Sequence, residues 1–219
     1  MKIFKFGGAS VKDANGVKNV LDVMQKVGHE NVLVIISAMG KTTNAFEEVI
    51  KNYFEKSPAL QSSIQEVKKY HNQILLDLFD DEDHDAFYAV NSHFEDLEYF
   101  IRSNKSPNYN FVYDQIVSFG ELLSTTIVSE YLNDVGITNS WRDARELVIT
   151  DAIFRDASVN WGETEKRIKT KIDTSKITLV QGFIAGDLNG NTTTLGREGS
   201  DFTAGIFAYC LDAESLTIW

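Results

Sequence analysis

The sequence predicts an α/β protein: a three-layer αβα sandwich on a largely parallel central sheet, with an inserted helical hairpin. Three observations carry this expectation. The chain begins with strand, glycine turn, helix and buried strand, a βαβ unit that implies parallel strands covered by helices. Two later segments repeat their apolar residues at helical spacing, outside the βαβ rhythm. Further on, the apolar run Ile177–Phe183 resumes the sheet.

Lys2–Phe6 is expected as the first strand, and Gly7-Gly8-Ala9-Ser10 as a turn that opens a helix with Val17, Val20, Leu21, Met24 and Val27 on one face. Val32–Ser37 reads as a strand buried on both faces. Leu60, Ile64, Val67, His71, Ile74 and Leu78 form one helical seam, and Phe87, Val90, Phe94, Leu97 and Ile101 a second. Joined by the polar run 80–85, the two seams predict an antiparallel hairpin insertion over about 59–103. His71 is expected to be a packed, hydrogen-bonded seam residue. The acidic connection lacks the glycine and spaced carboxylates of a calcium loop and is expected to be solvated. One long helix follows near Val112–Leu132, then strand character at Thr138–Trp141, Leu147–Thr150 and Ala152–Val159, and an amphipathic helix from about Glu163 to Ile172. Gly182–Gly199 reads as a hairpin leading into a phosphate-type loop, with Ser200 or Asp201 capping a helix over Phe202–Leu211.

Composition narrows the function. The chain has 219 residues and 43% hydrophobic content, enough for a buried core. Its formal net charge of −11, with no basic block, argues against nucleic acid and anionic membrane as partners. No apolar stretch approaches a membrane span. Cys210 is the single cysteine and lies in the apolar run Ala204–Leu211, so no internal disulfide forms and a cytoplasmic protein with a buried thiol is expected.

Four strings carry chemistry. In Lys5-Phe6-Gly7-Gly8-Ala9-Ser10, a lysine ends a strand and two glycines let the backbone approach an oxyanion, which suits a triphosphate or, equally, a solvated lysine before a tight turn. Ser37-Ala38-Met39-Gly40-Lys41-Thr42-Thr43-Asn44 follows the second strand, at the sheet edge where α/β proteins bind ligands; its hydroxyls suit a polar substrate or simple helix caps. Gly120-Glu121 places a charge among apolar residues, where it needs a partner: an internal salt bridge or a substrate amino group. In Thr194-Leu195-Gly196-Arg197-Glu198-Gly199-Ser200-Asp201, an arginine suited to a two-point grip on a carboxylate precedes an acid at a helix start.

Together these strings resemble the aspartate kinases of the amino-acid kinase superfamily. That family's lysine-phenylalanine-glycine-glycine-threonine-serine start, serine-alanine to threonine-asparagine loop, glycine-glutamate pair and leucine-glycine-arginine-glycine-glycine-serine-aspartate loop occur here in order, across nearly the whole chain. Ala9 stands where threonine is common, and Glu198 where glycine usually follows the arginine, which brings negative charge beside an anion site.

The resemblance implies the amino-acid kinase fold and transfer of the γ-phosphoryl group of ATP to the side chain of L-aspartate, giving β-aspartyl phosphate, the first step towards lysine, threonine and methionine. It implies that Arg197 grips the substrate α-carboxylate and Glu121 its α-ammonium, with Ser37, Thr43 and Ser200 placing it. Lys5, Gly7, Gly8 and Ser10 would meet the phosphoryl group, and Asp201 would orient Lys5 and the magnesium–nucleotide complex. No protein-bound metal site is expected, Mg2+ being held mainly through the phosphates. Other kinases of the same fold, acting on glutamate, acetylglutamate or a nucleoside monophosphate, are alternatives, as is a silent amino-acid-binding module. Ser215–Trp219 reads as an apolar strand of an interrupted domain, the amino-terminal, aspartate-binding portion. The remaining nucleotide pocket is then expected beyond Trp219, this chain alone is expected not to turn over ATP, and a homo-oligomer is expected.

Overall fold

Five parallel strands make the central sheet of the computed structural model, which describes residues 1–219. They are β1 (Lys2–Phe6), β2 (Val32–Ile36), β3 (Asn139–Arg142), β5 (Ile177–Gln181) and β8 (Ser215–Ile218), in the order β3-β5-β2-β1-β8. A small second sheet joins β4 (Ile149–Thr150), β6 (Ile184–Asp187) and β7 (Thr192–Thr194), with β6–β7 antiparallel. Every residue of β2 and β5 is buried, as both faces of a helix-covered parallel sheet require. Phe6 pairs with Ile36, so the chain leaves β1 and β2 side by side and the two following loops emerge together.

Eight helices surround this sheet: α1 (Ala14–Val27), α2 (Thr42–Phe54), α3 (Leu60–Leu78), α4 (Asp85–Ser103), α5 (Tyr109–Val117), α6 (Phe119–Asp134), α7 (Trp161–Lys171) and α8 (Gly199–Cys210). Helix α6 is buried nearly all round, which follows from its position: it packs on β2, β3 and β5 and is covered from outside by α4. Helix α8 packs on β1, β2 and β8. The architecture is the expected three-layer α/β sandwich. Ile64, Val67, Phe94 and Leu97 of the α3–α4 pair belong to the same apolar cluster as the strands, so these helices share the central core. His71 is fully buried there with Nδ1 2.8 Å from the Val67 carbonyl oxygen, and burial lowers its pKa to about 4. Cys210, the last residue of α8, is buried, and burial raises its thiol pKa to about 11. No helix is long and apolar enough to cross a membrane.

Four local expectations are corrected. Helix α1 starts at Ala14, not directly after Ser10, because Asp13 accepts the Gly16 N–H at 2.8 Å as the cap. The long helix expected near Val112–Leu132 is two, broken at Ser118, whose hydroxyl turns back to the Gln115 carbonyl at 2.9 Å. Segment 152–159 is a loop: Asp151 Oδ1 accepts the N–H groups of Ile153 and Ser158, each at 3.1 Å, and only a single bridge links Thr150 to Val159. Helix α8 begins at Gly199 after Glu198, so Ser200 and Asp201 lie in its first turn and do not cap it.

The loop over the second sheet hangs on Asp114 of α5. Its Oδ2 accepts the N–H groups of Arg155 (2.9 Å) and Thr194 (3.0 Å), and its Oδ1 accepts the Thr194 hydroxyl at 2.9 Å. Burial raises its pKa to about 6 despite these bonds. Asp114→Ala would strand three donors and is expected to destabilise the protein by ~3 kcal/mol or more. Asp114→Asn should cost far less, because an amide oxygen in the Oδ2 position keeps both N–H bonds and the Thr194 hydroxyl can turn to accept. Urea unfolding of the two variants checks the order.

Candidate active site

The carboxyl ends of β1, β2 and β5 open into a cleft of about 370 Å3. Lys5, one residue from the end of β1, is only 9% exposed, and a buried ammonium needs a counter-charge. Asp201, in the first turn of α8, supplies it: its Oδ1 lies 2.6 Å from Lys5 Nζ. The lysine side chain curls over Gly7, its Nζ 3.5 Å from where a Cβ would stand. A side chain on Gly8 would meet the Ala38 carbonyl oxygen at 2.6 Å, so only glycine lets the loop after β1 lie on the loop after β2. Gly40 N–H then donates to the Gly8 carbonyl at 2.9 Å.

Glu121 stands on the opposite wall, in the first turn of α6. Its Oε1 accepts the Ala38 N–H at 3.3 Å, while Oε2 is buried without any partner. No cation of the chain pairs with it, and burial raises its pKa to about 8. Gly120 leaves the room this requires: a Cβ there would stand 3.1 Å from the Ala38 side chain. The helix break at Ser118 therefore sets Gly120 against the loop after β2 and Glu121 into the cleft.

The third wall is the loop before α8. Glu198 adopts φ 57° and Gly196 φ 74°, left-handed conformations that fold the loop back on itself. Phe183, after β5, is also left-handed at φ 66°, held by its N–H to the Thr203 hydroxyl (2.9 Å) and by the Leu195 N–H on its carbonyl (2.9 Å). A bulky residue adopts this conformation only where its surroundings impose it.

Of the residues singled out in the sequence, Lys5, Gly8, Ser37, Thr43, Glu121, Ser200 and Asp201 all line this one cleft. Arg197 does not: the turned-back loop leaves it exposed between two lining residues, Gly196 and Glu198. Gly7 and Ser10 also stand outside the lining, their N–H and hydroxyl both given to the Trp219 carbonyl at 3.2 and 3.0 Å. Phe183 was not foreseen; an aromatic with positive φ leaves no sequence signal beyond the neighbouring Gly182. A wider opening of about 710 Å3 at the amino ends of the strands, near His29, Asn31 and Ser175, gathers no buried charge and carries no comparable chemistry.

A parallel α/β sheet thus holds, at its carboxyl edge, a lysine–aspartate pair opposite a buried, unpaired glutamate in one small cleft. Residues 1–219 match the family model for the amino acid kinase family, and the chain belongs to that family. It is 30% identical over 224 residues to an aspartokinase of Chlamydia trachomatis, covering 99% of this chain and 48% of that protein. It is 29% identical over 226 residues to the chloroplastic bifunctional aspartokinase/homoserine dehydrogenase 2 of Arabidopsis thaliana, covering 99% of this chain and 24% of that one. Two structures of E. coli aspartokinase III, one with lysine and aspartate and one with aspartate and ADP, superpose with TM-scores of 0.90 and 0.89 at 26% identity, over all of this chain and 49% and 48% of those chains. The chain thus spans about half the length of the bacterial proteins, and about a quarter of the plant one.

The raised Glu121 pKa has a stability consequence. The folded protein holds this proton more tightly than the unfolded chain, so the contribution is full below the ordinary glutamate value near 4.5 and is lost as pH rises to about 8. Glu121→Gln should therefore gain stability relative to the wild type between pH 5 and pH 8.5. Thermal midpoints at the two pH values check this; a constant difference would place the titration elsewhere.

Proposed function

We propose that the protein containing this chain is an aspartate kinase, which transfers the γ-phosphoryl group of ATP to the side-chain carboxylate of L-aspartate. One observation carries the reading: Glu121 Oε2, buried without a partner, shares a small cleft with the Lys5–Asp201 pair. An ammonium group is the natural partner of the first, and an oxyanion of the second. The relatives' names and the aspartate and ADP in the E. coli structures support the same substrates.

In this reading the α-ammonium of aspartate meets Glu121, and Ser37, Thr43 and Ser200 surround the substrate. Its side-chain carboxylate is ionised at neutral pH, so it attacks phosphorus without a general base. The new bond joins a carboxylate oxygen to phosphorus, the bond to the bridging oxygen of ADP breaks, and β-aspartyl phosphate and ADP result. Lys5 neutralises charge on the transferring group, and Asp201 holds Lys5 in place. Gly7 and Ser10, in the same loop, would reach the phosphoryl group on giving up their bonds to the Trp219 carbonyl.

Magnesium fits this site only loosely. The chain gathers no cluster of three metal-ligating side chains, and Asp201, whose Oδ1 makes the ion pair but no directed hydrogen bond, is the carboxylate beside Lys5. Asp201 would hold the ion together with the nucleotide phosphates, and the ion would supply charge neutralisation between them. Arg197 reaches the substrate α-carboxylate from the exposed loop as that loop settles on the ligand. We place the protein in the cytoplasm as a homo-oligomer, catalysing an early step of amino-acid biosynthesis.

The test is aspartate-dependent ADP release by the full-length protein, with glutamate and a nucleoside monophosphate as competitors; no release with aspartate would overturn the reading. Lys5→Ala should lower turnover by ~10²–10³ with a smaller effect on aspartate affinity. Arg197→Ala should raise the KM for aspartate by roughly 100-fold, the equivalent of losing a charge pair of ~3 kcal/mol, and Arg197→Lys by less. Unchanged aspartate affinity in both arginine variants would remove Arg197 from the site.

A further inference from the structure

Tyr70 lies on α3, in the hairpin, and lines none of the cleft. Its hydroxyl nevertheless touches both loops that form the cleft. It donates a short hydrogen bond to the Lys12 carbonyl, in the loop after β1. It also stands 2.7 Å from where a Cβ on Gly40 would be, in the loop after β2. Gly40 has φ 54°, so it is doubly bound to be glycine: by its backbone and by the tyrosine hydroxyl against it.

These contacts continue inward. Gly40 N–H donates to the Gly8 carbonyl at 2.9 Å, and Gly8 lies so close to Ala38 that no side chain fits between them. Ala38 in turn donates to Glu121. A line of backbone contacts thus runs from the tyrosine hydroxyl to the residue that receives the substrate ammonium and to the glycines beside Lys5. The Tyr70–Lys12 bond is the only hydrogen bond joining α3 or α4 to either loop. Beside it lies a hollow of about 410 Å3 bordered by Lys12, Lys41, Val67 and Tyr70 itself. Neither lysine makes an ion pair, so the Tyr70 hydroxyl is the one polar link from the hairpin to these loops.

We propose that Tyr70 is a positioning residue for phosphoryl transfer, a clamp by which the inserted hairpin holds the loops after β1 and β2 in mutual register. The proposal rests on the aspartate kinase reading of the cleft. It gives the hairpin a task in the reaction although no hairpin residue lines the cleft.

Tyr70→Phe removes the hydroxyl and keeps the ring. In the full-length protein, amide hydrogen exchange within 8–12 and 38–41 should speed up about fivefold, as expected for loss of one hydrogen bond, while exchange in α6 and β2 stays as in the wild type. Turnover should fall by ~10-fold or more with the KM for aspartate changed less than ~3-fold, because geometry is lost and the substrate contacts are kept. Unchanged loop exchange, exchange raised equally through the core, or wild-type turnover with loosened loops would each overturn the clamp. Wild-type protein that releases no ADP with aspartate would instead overturn the reading of the cleft, and the loop exchange of Tyr70→Phe would still decide whether the clamp exists.

Discussion

The cleft depends on two backbone segments lying in contact where no side chain fits between them. Parallel pairing of β1 and β2 brings the segments to one place, and Gly8 lets them close to van der Waals distance. Given that contact, Ala38 can present its N–H to Glu121, and Lys5 can curl over Gly7 towards Asp201. Were Gly8 any other residue, the loops would part and the walls carrying Lys5 and Glu121 would separate. The site is therefore a property of strand register and one missing Cβ more than of any strong bond.

Electrostatics then divides the labour. The molecule carries a net charge of −11, so a polyanion reaching it meets an unfavourable field. On the proposed reading that field would be answered within the cleft by the buried Lys5, which Asp201 holds in place. Glu121 solves a different problem. Kept without a counter-ion, it has its pKa raised to about 8 by burial, which favours the neutral form, less costly to bury than a carboxylate. On the proposed reading, an incoming ammonium group would favour the ionised form, so recognition and charge formation would be one event.

Much of this was legible from residues alone, for physical reasons that can be named. Strands β1 and β2 announce themselves by apolar continuity, α3 and α4 by their seams, and Glu121 by being a charge where the helix is otherwise apolar. What stayed hidden lies in backbone choices that residue type does not dictate. Ser118 breaks a helix through a hydroxyl that could equally have pointed to water. Asp151 turns a β-prone stretch into a loop by offering its carboxylate to two amides. Phe183 and Glu198 take left-handed conformations that sequence preference argues against, and these set where Phe183, Ser200 and Arg197 stand. The reach of Tyr70 across to Lys12 is a tertiary contact without any local trace.

Cys210 adds a property of a different kind. It is the only thiol in the chain, it is fully buried, and its proton is held far more firmly than that of an ordinary cysteine. An alkylating reagent attacks thiolates, so the native state offers it almost nothing to react with. Labelling of Cys210 at neutral pH requires opening around α8 first. The protein thus carries an intrinsic stopwatch, in which the rate of labelling at saturating reagent counts the openings of its own interior.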